Sequence, residues 1–139
     1  MQVKDVLDQK GGAIFALAPD TGIPGAAEML AENDVGAAVV SDAGTAVVGI
    51  LSERDITRAV AAHGAKIADM SVQDLMVKDV ITCSAASTIP EAMGIMQANR
   101  IRHLPVIAED DSLAGIISMR DLMEICVGDM MGMGMGVAV

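Results

Sequence analysis

The chain has 139 residues, a formal net charge of −10 and a hydrophobic fraction of 53%, so it is long and apolar enough to bury a core and is not a disordered segment. The excess of carboxylates argues against nucleic acid and anionic membranes as partners, because both need a basic footprint. Phe15 is the one aromatic residue, so aliphatic side chains and backbone groups must do most of the work of holding any bound base.

The N-terminal stretch MQVKDVLDQK is polar and carries no signal-peptide pattern, and no apolar run reaches the roughly 18 residues a membrane span requires. Cys83 and Cys126 stand far apart in no metal-type spacing and read as free thiols in a reducing compartment, which makes a cytoplasmic location the expectation. In chain order, Val3–Leu7 (VKDVL) predicts a short helical turn, with a counterpart at Val72–Met76 (VQDLM) 69 residues later, capped by Ser71 with Asp74 three residues on. Further along the offset falls to 66, which places three extra residues of the first copy between Asp8 and Ala13, with a turn at Gly11-Gly12.

Strands are predicted over Ile14–Ala18 and Val80–Ser84, both short and partly β-branched. Helices follow over about 23–33 and 89–99. The second has a capping pair, Thr88 and Glu91; the first offers only Gly22 and Gly25 there and is expected to start more loosely. Strand pairs 36–40 with 46–51, and 102–106 with 113–117, are joined by turns at Ser41–Gly44 and Glu109–Ser112. The last helices span about 53–63 and 119–127, the first stopped by Gly64, with Ala65–Met70 as linker. The remainder, GDMMGMGMGVAV from Gly128, shows no helical or strand period and is expected to be flexible or loosely packed.

Each half therefore reads helix, strand, helix, strand, strand, helix: repeat 1 over residues 1–64, a linker over 65–70, repeat 2 over 71–127 and a tail over 128–139. Units of about 60 residues bury a poor core alone, so the two should pack together about a pseudo-twofold axis, opening their strand-to-helix junctions onto a shared cleft. The fold class is α+β, in layers.

The chain is organised around a doubled heptapeptide, GILSERD at Gly49–Asp55 and GIISMRD at Gly115–Asp121, identical at five of seven positions. Each copy runs a strand into the start of a helix, where unpaired backbone N–H groups and the helix dipole suit a phosphate. Ser52 and Ser118 add hydroxyl donors, Arg54 and Arg120 add charge, and Asp55 and Asp121 offer acceptor oxygens suited to a sugar diol. Ser-x-x-Asp is equally a capping box that does no more than start a helix, although a cap needs neither the Gly nor the Arg. All five arginines (Arg54, Arg58, Arg100, Arg102, Arg120) lie in or beside the motifs, where they face either phosphate or any of nineteen carboxylates.

These residues resemble a cystathionine β-synthase (CBS) domain pair, or Bateman module, over about residues 1–127, through Gly-h-x-Ser/Thr-x-x-Asp in both copies and His-x-Pro at His103-Leu104-Pro105. The first copy has Ala37-Ala38-Val39 at the His-x-Pro position, which makes the two sites chemically unlike. The resemblance implies tandem repeats, each a small three-stranded sheet with helices on one face, and a homodimer. It implies an adenosine-containing ligand between the repeats: AMP first, or ATP, NAD(H) or S-adenosylmethionine. Asp55 and Asp121 would take ribose hydroxyls, Ser52 and Ser118 phosphate or ribose, and Arg54, Arg120 and Arg102 would lie within reach of phosphate. Ile14, Ala16, Val80 and Thr82 would hold adenine by backbone and aliphatic contact, and Ala37, His103 and Pro105 would line the sites. His103 reads equally as a satisfied core histidine.

Three functions stay open: a non-catalytic nucleotide sensor acting on a separate protein, a structural or interaction module with one or both sites empty, and an enzyme. Against the enzyme, the chain lacks a phosphate-binding Gly-x-x-x-x-Gly-Lys loop, a His-Glu-x-x-His pair and a nucleophile elbow. No catalytic residue, catalytic cofactor or metal ligand is expected.

Overall fold

A computed structural model describes residues 1–11, 14–42 and 46–138, with side chains as far as residue 128. Gly12 of the first expected turn, Ala13 that bounds the three-residue insertion, and Ala43-Gly44 of the hairpin turn lie outside the described residues.

In chain order the elements are α1 (Val3–Lys10), β1 (Ala16–Leu17), α2 (Ile23–Glu32), β2 (Ala37–Asp42), β3 (Ala46–Ser52), α3 (Glu53–His63), a 3₁₀ segment (Gly64–Asp69), α4 (Val72–Leu75), β4 (Cys83–Ser84), α5 (Ile89–Asn99), β5 (His103–Ile107), β6 (Leu113–Ser118) and α6 (Met119–Ala138). They build two three-stranded sheets, ordered β1-β2-β3 and β4-β5-β6. In each the first pair is parallel and the second antiparallel, with a register shift after Val40 or Val106. The fold is α+β, as the pattern predicts.

The compact units cross the sequence repeats. One comprises residues 14–81; the other joins residues 1–13 to residues 82–139. In the unit of residues 14–81, Leu17, Ile23, Ala26, Leu30, Ala38, Val40, Leu51 and Val72 form the core, with Ile56, Met70, Leu75 and Met76 packed around it. The helix that opens the second repeat thus covers the first repeat's sheet. The other unit does the reverse: α1 lies against β6 and α6, and it buries Val3 and Val6 completely.

Several bounds differ from expectation. The strands expected over Ile14–Ala18 and Val80–Ser84 shrink to two residues each, because only Ala16-Leu17 and Cys83-Ser84 find partners, on Val39-Val40 and Val106-Ile107. Pro105 is tolerated in a middle strand for the same reason: β4 reaches only Val106 and Ile107, so no parallel ladder bond is missing at Pro105. The predicted turn at Val3–Leu7 is a full helix to Lys10. The final helix runs eleven residues past Val127 to Ala138, where no regular structure was expected. The stretch holds no proline and its methionines are good helix formers, but Gly128, Gly132, Gly134 and Gly136 oppose a helix, so local propensity does not explain the extension.

The loose start expected for α2 is real at the side-chain level and compensated by backbone. Gly22 gives no side-chain cap; instead the Ile23 N–H donates to the Met70 carbonyl at 3.0 Å, and the Val72 N–H to the Thr21 carbonyl at 2.8 Å. At α5, Thr88 Oγ1 accepts from the Glu91 N–H at 3.2 Å, the predicted cap.

Candidate functional site

Both heptapeptides form the same junction, each within its own unit. β3 ends at Ser52, paired with Ala37 at the head of β2; β6 ends at Ser118, paired with His103 at the head of β5. The pairing holds each helix start beside the neighbouring strand. The Glu53 N–H donates to the Gly36 carbonyl at 2.8 Å, and the Met119 N–H to the Arg102 carbonyl at 2.7 Å. The Asp55 N–H donates to Ser52 Oγ at 3.2 Å, and the Asp121 N–H to Ser118 Oγ at 3.0 Å. Of the first three helical N–H groups, then, two are already engaged, which leaves those of Arg54 and Arg120 for water or a ligand. The junction is a poorer anion cradle than a bare helix end.

The carboxylates close the boxes with one oxygen only. Asp55 Oδ2 accepts from the Ser52 N–H and from Ser52 Oγ, both at 2.9 Å. Asp121 Oδ2 accepts from the Ser118 N–H at 2.8 Å. Among the described residues no hydrogen bond reaches Oδ1 of either aspartate. Each aspartate is half-buried as a residue. Capping alone is no signature of a site: Ser71 and Asp74 make the same box at α4, with a 2.9 Å bond from the Ser71 N–H to Asp74 Oδ2, and Asp74 is exposed.

The motif glycines have a packing role. A Cβ on Gly49 would stand 2.5 Å from Met76 Sδ and 3.1 Å from the Val77 carbonyl oxygen, and one on Gly115 would stand 2.8 Å from Leu7 Cδ2. They admit the helix segment that each sheet takes from the other repeat.

The arginines split. Arg120 Nε lies 3.3 Å from Glu124 Oε1, with both side chains largely exposed, a pair of small energetic value. Arg54, Arg58, Arg100 and Arg102 are exposed and join no ion pair among the described residues. Of the positions expected around a base, Ile14, Ala16 and Thr82 are exposed, Val80 and His103 half-buried, and Ala37 and Pro105 buried. Ile14, Val80 and Thr82 precede the paired residues of β1 and β4 and belong to no strand.

Lys10 has no part in the sequence-derived site, yet it sits at one junction. Its Nζ lies 2.8 Å from Asp121 Oδ2 and donates to the Ile116 carbonyl at 3.0 Å. Its one local signal is a place in the last turn of α1, where a cation complements the helix dipole; nothing nearby points to an aspartate 111 residues away. Partial burial works to raise the Asp121 carboxyl, but the hydrogen bond from Lys10, the Ser118 N–H and the lysine's charge outweigh it and hold the group below its ordinary value.

The CBS domain family model matches this chain twice, over residues 3–62 and 72–128. The chain belongs to the CBS domain family. The two matches follow the sequence repeats, and the CBS assignment accounts for the doubled junction. The CBS-domain containing protein ATU1752 of Agrobacterium tumefaciens is 43% identical, with a TM-score of 0.85 over 90% of this chain and 98% of that one. The mitochondrial CBS domain-containing protein CBSX3 of Arabidopsis thaliana is 32% identical over 90% of this chain and 64% of its own. The chain thus spans just under two thirds of the length of that curated relative. The CBS domain pair of MJ0100, solved in complex with 5′-methylthioadenosine and S-adenosyl-L-methionine, shares the fold at a TM-score of 0.81 and 22% identity, over 93% of this chain and 98% of its own. Among the described residues no helix is long and apolar enough to cross a membrane, and no three His, Cys, Asp or Glu side chains gather in a metal-sized group.

Proposed function

We propose that this CBS pair is a non-catalytic sensor of an adenosine-containing molecule. The observation that carries the reading is the doubled junction, in which a half-buried aspartate caps its helix with Oδ2 and, among the described residues, accepts no hydrogen bond at Oδ1. Carboxylate–hydroxyl bonds are charge-assisted and suit a ribose. Ser52 and Ser118, with the Arg54 and Arg120 amides and side chains, supply donors for a 5′ substituent, and Arg102 adds charge beside the second junction. Ala16, Ala37, Ile14, Val80, Thr82, His103 and Pro105 supply the apolar and backbone contacts a base needs in a chain almost without aromatics.

The ligands of MJ0100 support the adenosyl class. AMP is the first candidate, with ATP and NAD(H) beside it; the net charge of −10 favours the cationic S-adenosylmethionine as the second reading. The protein acts as a homodimer in the cytoplasm, and ligand occupancy is passed to a separate protein by shifting a conformational equilibrium.

Thermal unfolding with each ligand tests this. A ligand at about a hundred times its Kd adds about 2.7 kcal/mol and raises the Tm by several degrees. The expected shift appears with one adenosine ligand and disappears in Asp55→Ala with Asp121→Ala. No shift with any of them, in a folded protein, overturns the reading and favours an interaction module.

A further inference from the structure

The two junctions are built from one motif but have different neighbours. In the unit of residues 14–81, the Ile50 carbonyl accepts from the Val77 N–H at 2.9 Å, and the Ile50 N–H donates back at 3.0 Å. Ile116 is the counterpart of Ile50 in the second heptapeptide, and its carbonyl accepts the Lys10 ammonium instead. The difference follows from helix length. α4 stops at Leu75, and the chain turns at once to pair with β3; α1 continues to Lys10 and delivers a side chain where its counterpart delivers backbone.

The consequence falls on the two aspartates. Asp55 receives both Oδ2 bonds from its own Ser52, both from neutral donors, and no cation pairs with it among the described residues. Asp121 shares Oδ2 between the Ser118 N–H and a full ammonium, so part of its charge is already engaged before any ligand arrives. A hydroxyl donating to a lone carboxylate gains a charge-assisted bond; beside an ammonium that already holds the carboxylate, it gains less.

We propose that Lys10 is the residue that makes the two junctions unequal: it weakens Asp121 as an acceptor of ribose hydroxyls, so that the first nucleoside bound per chain is held at Asp55. The proposal rests on the aspartates being ribose acceptors. It also sets the ligand chemistry of each junction. A neutral or cationic adenosyl compound is favoured at Asp55 and disfavoured beside Lys10, where only an anionic ligand recovers the lost attraction.

Calorimetric titration with adenosine and with AMP tests this in wild type, Lys10→Met, Lys10→Arg, Asp55→Asn and Asp121→Asn. Methionine keeps the length and helix propensity of lysine and removes the charge; arginine keeps the charge. The expected results are one tighter adenosine site per chain in wild type, lost in Asp55→Asn and kept in Asp121→Asn. In Lys10→Met a second site should tighten about threefold to fivefold, the scale of a partly exposed ion pair, and Lys10→Arg should behave as wild type. The proposal is overturned if Lys10→Met leaves both sites unchanged, if the tighter site is lost in Asp121→Asn rather than Asp55→Asn, or if Lys10→Met weakens AMP but not adenosine, which would make Lys10 a phosphate ligand. Wild-type binding that depends on the aspartates but not on Lys10 leaves the sensor reading standing; absence of binding in every folded variant removes both.

Discussion

Gly49 and Gly115 show how a residue shared by two copies of a motif can serve packing rather than ligand. Both lie under a side chain from the helix segment that completes their sheet, but Gly49 also faces the Val77 carbonyl oxygen, which cannot rotate away. Gly49→Ala is therefore expected to cost about 1–3 kcal/mol by overpacking, and Gly115→Ala less, since the Leu7 methyl it meets can move. Urea unfolding of the two variants measures the difference, and equal losses would contradict it. Asp121 has a pH signature. Its native carboxyl titrates below the ordinary value of 3.8, so the Lys10 pair stabilises the fold above that pH and the contribution is lost as pH falls through the native value. With both side chains partly exposed, the pair is worth roughly 1 kcal/mol or less. Lys10→Met should be less stable than wild type at pH 7, and the gap should close under acid; a gap constant with pH would contradict the pairing.

Most elements are legible in the sequence because their ends are marked by local chemistry. Thr88 with Glu91, Ser52 with Asp55 and Ser71 with Asp74 each place a helix start within a residue of where it lies. Thr88→Ala is accordingly expected to destabilise the protein by about 0.5–2 kcal/mol, while no comparable side-chain change exists at α2, whose first N–H, that of Ile23, is held by the Met70 carbonyl. Thermal unfolding of Thr88→Ala checks the value. Two features resist local reading. β1 and β4 are shorter than their apolar runs because a strand's extent depends on where its partner ends. α6 is longer than its apolar pattern, and its glycines would not have announced the extension.

At the scale of the molecule, what the sequence conceals is address. Val3 and Val6 announce a buried helix face but not which sheet buries it, and α1 completes the sheet of residues 82–139, not that of the repeat it begins. The same exchange brings Leu7 to Gly115, Met76 to Gly49 and Lys10 to Asp121. The candidate site was legible as far as its own heptapeptides reach, because Ser, Arg and Asp are neighbours in the chain. The Ala37/His103 difference between the two copies was legible as well, but the Lys10 contact at Asp121 was not, because that lysine comes from the far end of the chain.

The proposed sensor depends on the two aspartates accepting a ribose. The most direct measurement is calorimetric titration of wild type and of the Asp55→Ala, Asp121→Ala double variant with whichever adenosine ligand raises the Tm most. Saturable heat in wild type that vanishes in the folded double variant is the predicted result. Heat of the same size and affinity in both proteins would place the ligand elsewhere and contradict the account.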